Sequence, residues 1–150
     1  MHSRRRQAVA RRLLARFIDG ADDAKLERRF GSPGIQRLMF RAMAAGFDPD
    51  AAAGFEGAIA YELQRPVTDA PPARWTVEIS GRRARARPGA PEQAALTLRL
   101  TLADFVRIAA GSVDPAIPGL QGRASFRGDF GLAVRLPEMF GATPPRPAHD

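Results

Sequence analysis

The chain has 150 residues, of which 45% are hydrophobic and 26% charged; this is the make-up of a single globular domain that needs no disulfide or metal staple. It holds no cysteine, and its only histidines are His2 and His149, which excludes thiolate metal sites and cysteine nucleophiles and leaves Ser-His-Asp or imidazole chemistry without a placed base. The formal charge is +7, but Arg4, Arg5, Arg6, Arg11, Arg12 and Arg16 all precede the first acid, Asp19, so the other 17 bases meet 16 acids and the body is nearly neutral. That balance speaks against nucleic acid as a partner.

Every base except Lys25 is arginine, and with abundant Ala, Gly and Pro this usage points to a GC-rich coding genome and a bacterial source. No apolar run reaches the roughly 18 residues of a membrane span. Ser3-Arg4-Arg5 is not an export signal, because Arg11, Arg12 and Arg16 interrupt the apolar stretch such a signal needs. Ala148-His149-Asp150 is no peroxisomal address. The expected location is the cytoplasm.

Helical signals come first. Val9, Leu13, Leu14, Phe17 and Ile18 recur on one face until Gly20, with the arginines elsewhere. Residues 22–29 read as a short charged helix. Ser32 offers an N-cap and Pro33 a first helical position, followed by an apolar stripe of Ile35, Leu38, Met39, Ala42 and Met43 that Gly46 closes. Asp48-Pro49 reads as the start of one further turn.

From Gly57 the period falls to two. Ile59, Tyr61 and Leu63 alternate with Ala60 and Glu62, and Trp75, Val77 and Ile79 with Arg74, Thr76 and Glu78. Ser80-Gly81 turns the chain into Arg83, Arg85 and Arg87 alternating with Ala84 and Ala86. Leu96, Leu98 and Leu100, then Ala124 and Phe126, continue the pattern against polar neighbours. Residues 64–74, with Pro66, Pro71 and Pro72, read as a long hairpin loop, and residues 88–92 as another. Thr101 and Asp104 start a helix through Phe105, Val106 and Ile108 to Gly111. The expected fold is therefore α+β, a five-stranded sheet with helices on one face and water on the other, plus N-terminal helices.

The last helix is apolar all round. Phe130, Leu132, Val134, Leu136, Met139 and Phe140 surround it, with only Asp129, Arg135 and Glu138 charged. One side suits the sheet; the other needs a helix, a subunit or a ligand, unless the whole is core.

The run Gly111-Ser112-Val113-Asp114-Pro115, then Leu120-Gln121-Gly122-Arg123-Ala124-Ser125-Phe126-Arg127-Gly128-Asp129, then Leu132 to Leu136 and Phe140, resembles the C-terminal half of sterol carrier protein type 2 domains. Trp75-Thr76-Val77 with Gly81, and Leu96 to Leu100 leading into Asp104-Phe105, stand where that family has its second strand, its turn, its fourth strand and the following helix. The resemblance covers residues 54–141, with departures at Arg123, Pro118 and Pro137. It implies a hydrophobic tunnel between sheet and helices that binds sterols, fatty acyl chains or other lipids without a catalytic group. The implied division is 1–53 as helical arm and packing helices, 54–141 as the lipid-binding domain, and 142–150 as a loose tail.

The expected lipid-binding residues are Trp75, Leu98, Leu100, Phe105, Ile108, Phe126, Phe130, Leu132, Leu136, Met139 and Phe140, with Ala84 and Ala86 leaving room on the inner face. A charged residue at Phe130 or Leu132 is expected to weaken acyl-chain binding more than folding. No catalytic residue, cofactor or metal is expected: Asp104 reads as a helix cap, and Asp48, Asp50, Glu56 and Glu62 lack metal-loop spacing. Arg83, Arg85 and Arg87 read as the solvated face of an edge strand rather than a phosphate grip. Arg4, Arg5, Arg6, Arg11, Arg12 and Arg16, with the apolar stripe beside them, suit peripheral contact with an anionic membrane, the alternative being that this stripe packs on the domain. The partners to weigh are a lipid ligand, such a membrane, and enzymes of lipid or isoprenoid-quinone biosynthesis to which intermediates are presented. A structural or dimerisation module with no ligand is the remaining class.

Overall fold

The structure is a computed structural model that describes Val9 and residues 12–141. Helical residues 12–18 (α1) lead to α2 (Asp23–Phe30), α3 (Pro33–Ala45), β1 (Gly57–Arg65), β2 (Ala70–Ser80), β3 (Arg83–Pro88), β4 (Leu96–Thr101), α4 (Leu102–Ala109), α5 (Ala116–Leu120), β5 (Ser125–Gly128) and α6 (Phe130–Met139). The strands form one five-stranded sheet in the order β3-β2-β1-β4-β5. Neighbours are antiparallel except β1 and β4, which run parallel. This is the α+β architecture that the alternation implies.

A parallel pair needs a crossover, and the loop from β3 to β4 makes it across the charged face of the sheet. The Gly89 N–H donates to the Arg74 carbonyl (2.8 Å), the Thr76 hydroxyl to the Gly89 carbonyl (2.8 Å) and the Ala95 N–H to the Ala58 carbonyl (2.9 Å). Thr76, on the outward side of β2, is consequently buried.

Local chemistry sets the helix starts. Asp22, Thr101 and Asp129 accept from the N–H groups of Lys25 (2.8 Å), Asp104 (3.0 Å) and Leu132 (3.0 Å). Ser32 makes no side-chain cap bond; the Pro33 ring alone defines the first turn of α3. Gly81 and Arg82 both have positive φ (58° and 65°), the backbone of a tight two-residue β-hairpin.

Two sequence expectations fail here. Residues 64–74 are not a long loop: β1 runs to Arg65 and β2 begins at Ala70, leaving a four-residue turn. Pro71 and Pro72 lie within β2 at the register shift opposite Gln64, a bulge where no ladder N–H is required. The buried side of α3 also differs from the expected stripe. Gln36 and Phe40 are buried and Met39 and Met43 half-buried, whereas Ile35, Leu38 and Ala42 face outward. The polar Gln36 hides the true stripe; its side-chain amide is satisfied inside the core, donating to the Phe30 carbonyl (3.0 Å) and accepting from the Trp75 indole N–H (2.9 Å). Ala84 and Ala86 do not leave space, because α3 packs against β3 where these small side chains admit it.

Glu27 is 1% exposed yet carries a carboxylate. It accepts from the Val67 N–H (3.1 Å), the Thr68 N–H (3.0 Å) and the Thr68 hydroxyl (2.9 Å), clamping the β1–β2 turn to α2. Hydrogen bonds to a charged acceptor are worth about 1.5–3 kcal/mol each, so Glu27→Ala is expected to lower the urea-unfolding free energy by about 3 kcal/mol, and Glu27→Gln by less, since its amide oxygen still accepts.

Candidate functional site

The apolar layer between sheet and helices has two ends of different character. At one end Phe40 of α3 is the centre of an aromatic cluster. Its ring stacks on Trp75 (centroids 4.6 Å, 7°) and on Phe105 (5.1 Å, 15°), and meets Tyr61 edge-on (5.5 Å, 71°). These rings stand next to one another on β1, β2 and α4, all buried, and they fill that end. Burial pushes the Tyr61 phenol well above its ordinary value of 10.0.

The other end lies where β4, β5 and α6 meet. On β4 and β5 the register pairs Leu98 with Phe126 on the helix-facing side of the sheet. Leu98 is half-buried and Phe126 is 44% exposed. The Phe126 ring lies 5.6 Å from that of Phe130, which is itself 66% exposed, and one turn further along α6 Val134 is 61% exposed. An apolar strip thus stands open along the β5 edge. It stands open because α6 turns Leu132, Met139 and Phe140 into the core and so presents its remaining apolar residues outward. Phe47 packs on Phe140 (5.6 Å), and the Asp48 N–H donates to the Met139 carbonyl (2.7 Å), which holds the C-terminal end of α6 to the segment after α3.

Gly128 sets the joint between β5 and α6. Its φ is +117°, and a Cβ there would collide with the Ala95 carbonyl oxygen. Only glycine lets the chain pass so close, after which the Asp129 N–H donates to that same carbonyl (3.0 Å).

The eleven expected lipid-binding residues therefore separate. Trp75, Leu100, Phe105, Leu132, Met139 and Phe140 are buried; Leu98, Ile108 and Leu136 are half-buried; Phe126 and Phe130 are exposed. Leu132 is fully buried, so a charge there disrupts the core rather than a ligand contact alone. Phe40, Tyr61 and Gln36 were not among the eleven. The signal for Gln36 and Phe40 is the i, i+4, i+7, i+11 series Gln36, Phe40, Met43, Phe47, masked by its polar first member; Tyr61 stands on the inward side of β1 with Ile59 and Leu63, opposite Trp75.

Of the six arginines of the arm, Arg4, Arg5, Arg6 and Arg11 lie outside the described residues. Arg12 and Arg16 are exposed on α1. The stripe beside them divides: Ile18 is buried and Leu14 half-buried, while Val9, Leu13 and Phe17 are 57%, 62% and 58% exposed. Arg29 ties down the end of α1, donating to the Phe17 carbonyl (3.2 Å) with its guanidinium 5.0 Å from the Phe17 ring centroid.

Asp104 is buried in an ion-pair network. Arg123 approaches its carboxylate at 3.4 Å and Arg107 at 3.9 Å, and Arg107 also reaches Asp23 at 2.6 Å. These contacts lock α4 to α2 and to the segment before β5. A cleft of about 290 Å³ on the charged face lies under the crossing loop, lined by Glu62, Arg74, Glu92, Thr97 and Arg127 among others. Among the described residues no group of three or more His, Cys, Asp or Glu side chains is placed to hold a metal, and no helix is long and apolar enough to cross a membrane.

A profile of the SCP-2 sterol transfer family matches residues 39–141, and the chain belongs to that family. No curated protein matches it significantly. Among solved structures, it is similar to palmitated SCP2L2 of Aedes aegypti (19% identity, TM-score 0.57, 69% of this chain and 92% of that one). It is also similar to apo sterol carrier protein 2 of Yarrowia lipolytica (14% identity, TM-score 0.55, 73% and 95%). A third likeness is to the inverting sec-alkylsulfatase Pisa1 of Pseudomonas sp. (21% identity, TM-score 0.57, 81% of this chain), of whose length the chain spans only 20%. These likenesses show a shared fold.

The raised phenol of Tyr61 has a stability consequence. Above pH 10 the unfolded chain releases this proton while the folded chain retains it, so stability is held in full below pH 10 and falls as pH rises beyond it. Tyr61→Phe is expected to flatten the alkaline limb of the unfolding free energy, followed by urea titration between roughly neutral pH and the strongly alkaline range.

Proposed function

We propose that the protein binds a lipid chain, without chemistry of its own, at the β4–β5–α6 end of the space between sheet and helices. Residues 54–141 form the binding unit and the preceding helices its cover. The observation that carries this reading is the apolar strip of Leu98, Phe126, Phe130 and Val134, open at the sheet edge and continuous with the half-buried Leu136 and Ala133 that pack on the core. A chain entering there would displace water from apolar surface at roughly 25 cal/mol per Å², while the aromatic cluster around Phe40 closes the far end. Membership of a sterol transfer family and the fold shared with a palmitated relative support a fatty acyl, isoprenoid or sterol-like occupant. The absence of cysteine and the confinement of histidine to positions 2 and 149 support a carrier rather than an enzyme.

The same reading gives the N-terminal arm a use. Val9, Leu13 and Phe17 are exposed next to Arg12 and Arg16, which supports insertion of this face into an anionic membrane interface, a peripheral contact that brings the binding site to its lipid source. Presentation of intermediates to lipid-biosynthetic enzymes is compatible with it. The open strip would equally suit a second copy of the chain, so sedimentation velocity with and without lipid distinguishes the dimerisation module from the carrier.

Phe126→Asp and Phe130→Asp are exposed substitutions, expected to shift thermal unfolding little but to weaken binding of a fluorescent fatty acid about tenfold or more, the loss of one buried aromatic contact. Unchanged affinity in both variants would remove the strip from the ligand site. Deleting residues 1–20 is expected to weaken co-sedimentation with phosphatidylglycerol vesicles; binding unaffected by the deletion would return the arm to a packing role.

A further inference from the structure

The nearly neutral charge of the body conceals a strongly basic face. The strand register places Arg83, Arg85 and Arg87 of β3, Arg74 of β2, Arg99 of β4 and Arg127 of β5 on the side of the sheet turned away from the helices. All six are exposed. The acids on that side are Glu62, Glu78 and, from the crossing loop, Glu92; many of the others, Asp19, Asp22, Asp23 and Glu27 among them, belong to the helical segments. Glu62 pairs with Arg74 at 3.8 Å and Glu78 with Arg87 at 3.9 Å, both long and solvated. Among the described residues Arg83, Arg85, Arg99 and Arg127 have no ion-pair partner. Strands lie roughly 4.8 Å apart, so this array spans roughly 20 Å from β3 to β5.

We propose that this face docks on an anionic phospholipid surface. Guanidinium groups pair with phosphate oxygens through two parallel N–H donors, and here they stand exposed on both sides of the crossing loop, with Arg74 and Arg127 also lining the cleft beneath it. A fluid bilayer can bring its headgroups to match any such array, whereas a folded acidic partner must carry the matching spacing. Among the described residues no aromatic side chain of a strand stands on this side of the sheet to stack on bases, so single-stranded nucleic acid finds only its phosphates recognised. The surface is also distinct from that of α1, whose Ile18 is buried in the core on the helical side of the sheet. Attraction of this kind decays within the Debye length, about 10 Å at 0.1 M salt. The choice of a membrane as occupant rests on the lipid-binding reading above.

The test uses the full chain with phosphatidylglycerol–phosphatidylcholine vesicles and with pure phosphatidylcholine vesicles, at low and high salt. Three proteins are compared: the natural chain, R83Q/R85Q/R99Q/R127Q, and R12Q/R16Q. The quadruple variant is expected to lose about tenfold or more in affinity for the anionic vesicles, since each arginine at such a surface contributes measurably. Its melting temperature and its affinity for a fluorescent fatty acid should stay at natural values, and high salt should weaken the natural chain in the same way. Anionic-vesicle binding equal to that of the natural chain would overturn the proposal, as would a loss confined to R12Q/R16Q. Tighter binding of the natural chain to duplex DNA than to the vesicles at equal ionic strength would overturn it in favour of a nucleic-acid surface. Failure of the natural chain to bind any fatty acid would sink the carrier reading, while a vesicle affinity lost only in the quadruple variant would still support the docking face.

Discussion

Phe40 holds the two layers together. It is completely buried and is the one side chain that touches rings from β1, β2 and α4 at once. Aromatic pairs of this geometry add about 0.5–1.5 kcal/mol each beyond the burial of their area, and no other residue of α3 makes such contacts. The Gln36 amide, one turn before it, bridges the Trp75 indole and the end of α2, so the orientation of Trp75 is fixed by a ring on one side and a hydrogen bond on its edge. The helices before the sheet are joined to its centre through these two residues. They are a structural part of the domain and not an appendage, although the family match begins only at residue 39.

This constraint also decides which part of the interlayer keeps apolar surface exposed. A cluster that fills the β1–β2–α4 end leaves the β4–β5–α6 end as the part of the interlayer whose apolar surface remains open. The two ends differ in what packs on them: α3 packs on β3 and sets Phe40 among the rings of the first. Beside β5 the Phe130 ring of α6 meets Phe126, and α6 directs Leu132 and Met139 inward and Phe130 and Val134 outward. Gly128 sets this geometry by letting β5 hand over to α6 in direct contact with the Ala95 carbonyl.

The two faces of the sheet are of opposite chemistry. Period-two alternation puts Ile59, Val77, Leu96 and their neighbours under the helices and the arginines on the far side, as a one-residue slip in register would reverse. The crossing loop covers only part of the arginine face, because it is pinned near Thr76 and Ala58 and leaves the arginines of β3 bare, while Arg127 of β5 lines the cleft beneath it.

Much of this was legible in the amino-acid sequence. Alternation of apolar and polar residues identifies the strands and the inward side of each, since side chains alternate in a strand whatever surrounds it. Local hydrogen bonding likewise marks the helix start at Thr101, and Ser80-Gly81 marks the hairpin turn, because each involves residues only two or three positions apart. The apolar surplus of α6 was visible as well. Tertiary structure alone decided the rest. Gln36 belongs to the core only because Trp75 and Phe30, distant in sequence, offer it partners, and hydropathy cannot register a satisfied polar group. Pro71 and Pro72 can lie within a strand because they form the bulge of β2 opposite Gln64, where no ladder N–H is required. The eleven apolar candidates look alike as letters; which are core and which stand open depends on where α3 stops and α6 begins, a matter of packing between segments that no local pattern encodes.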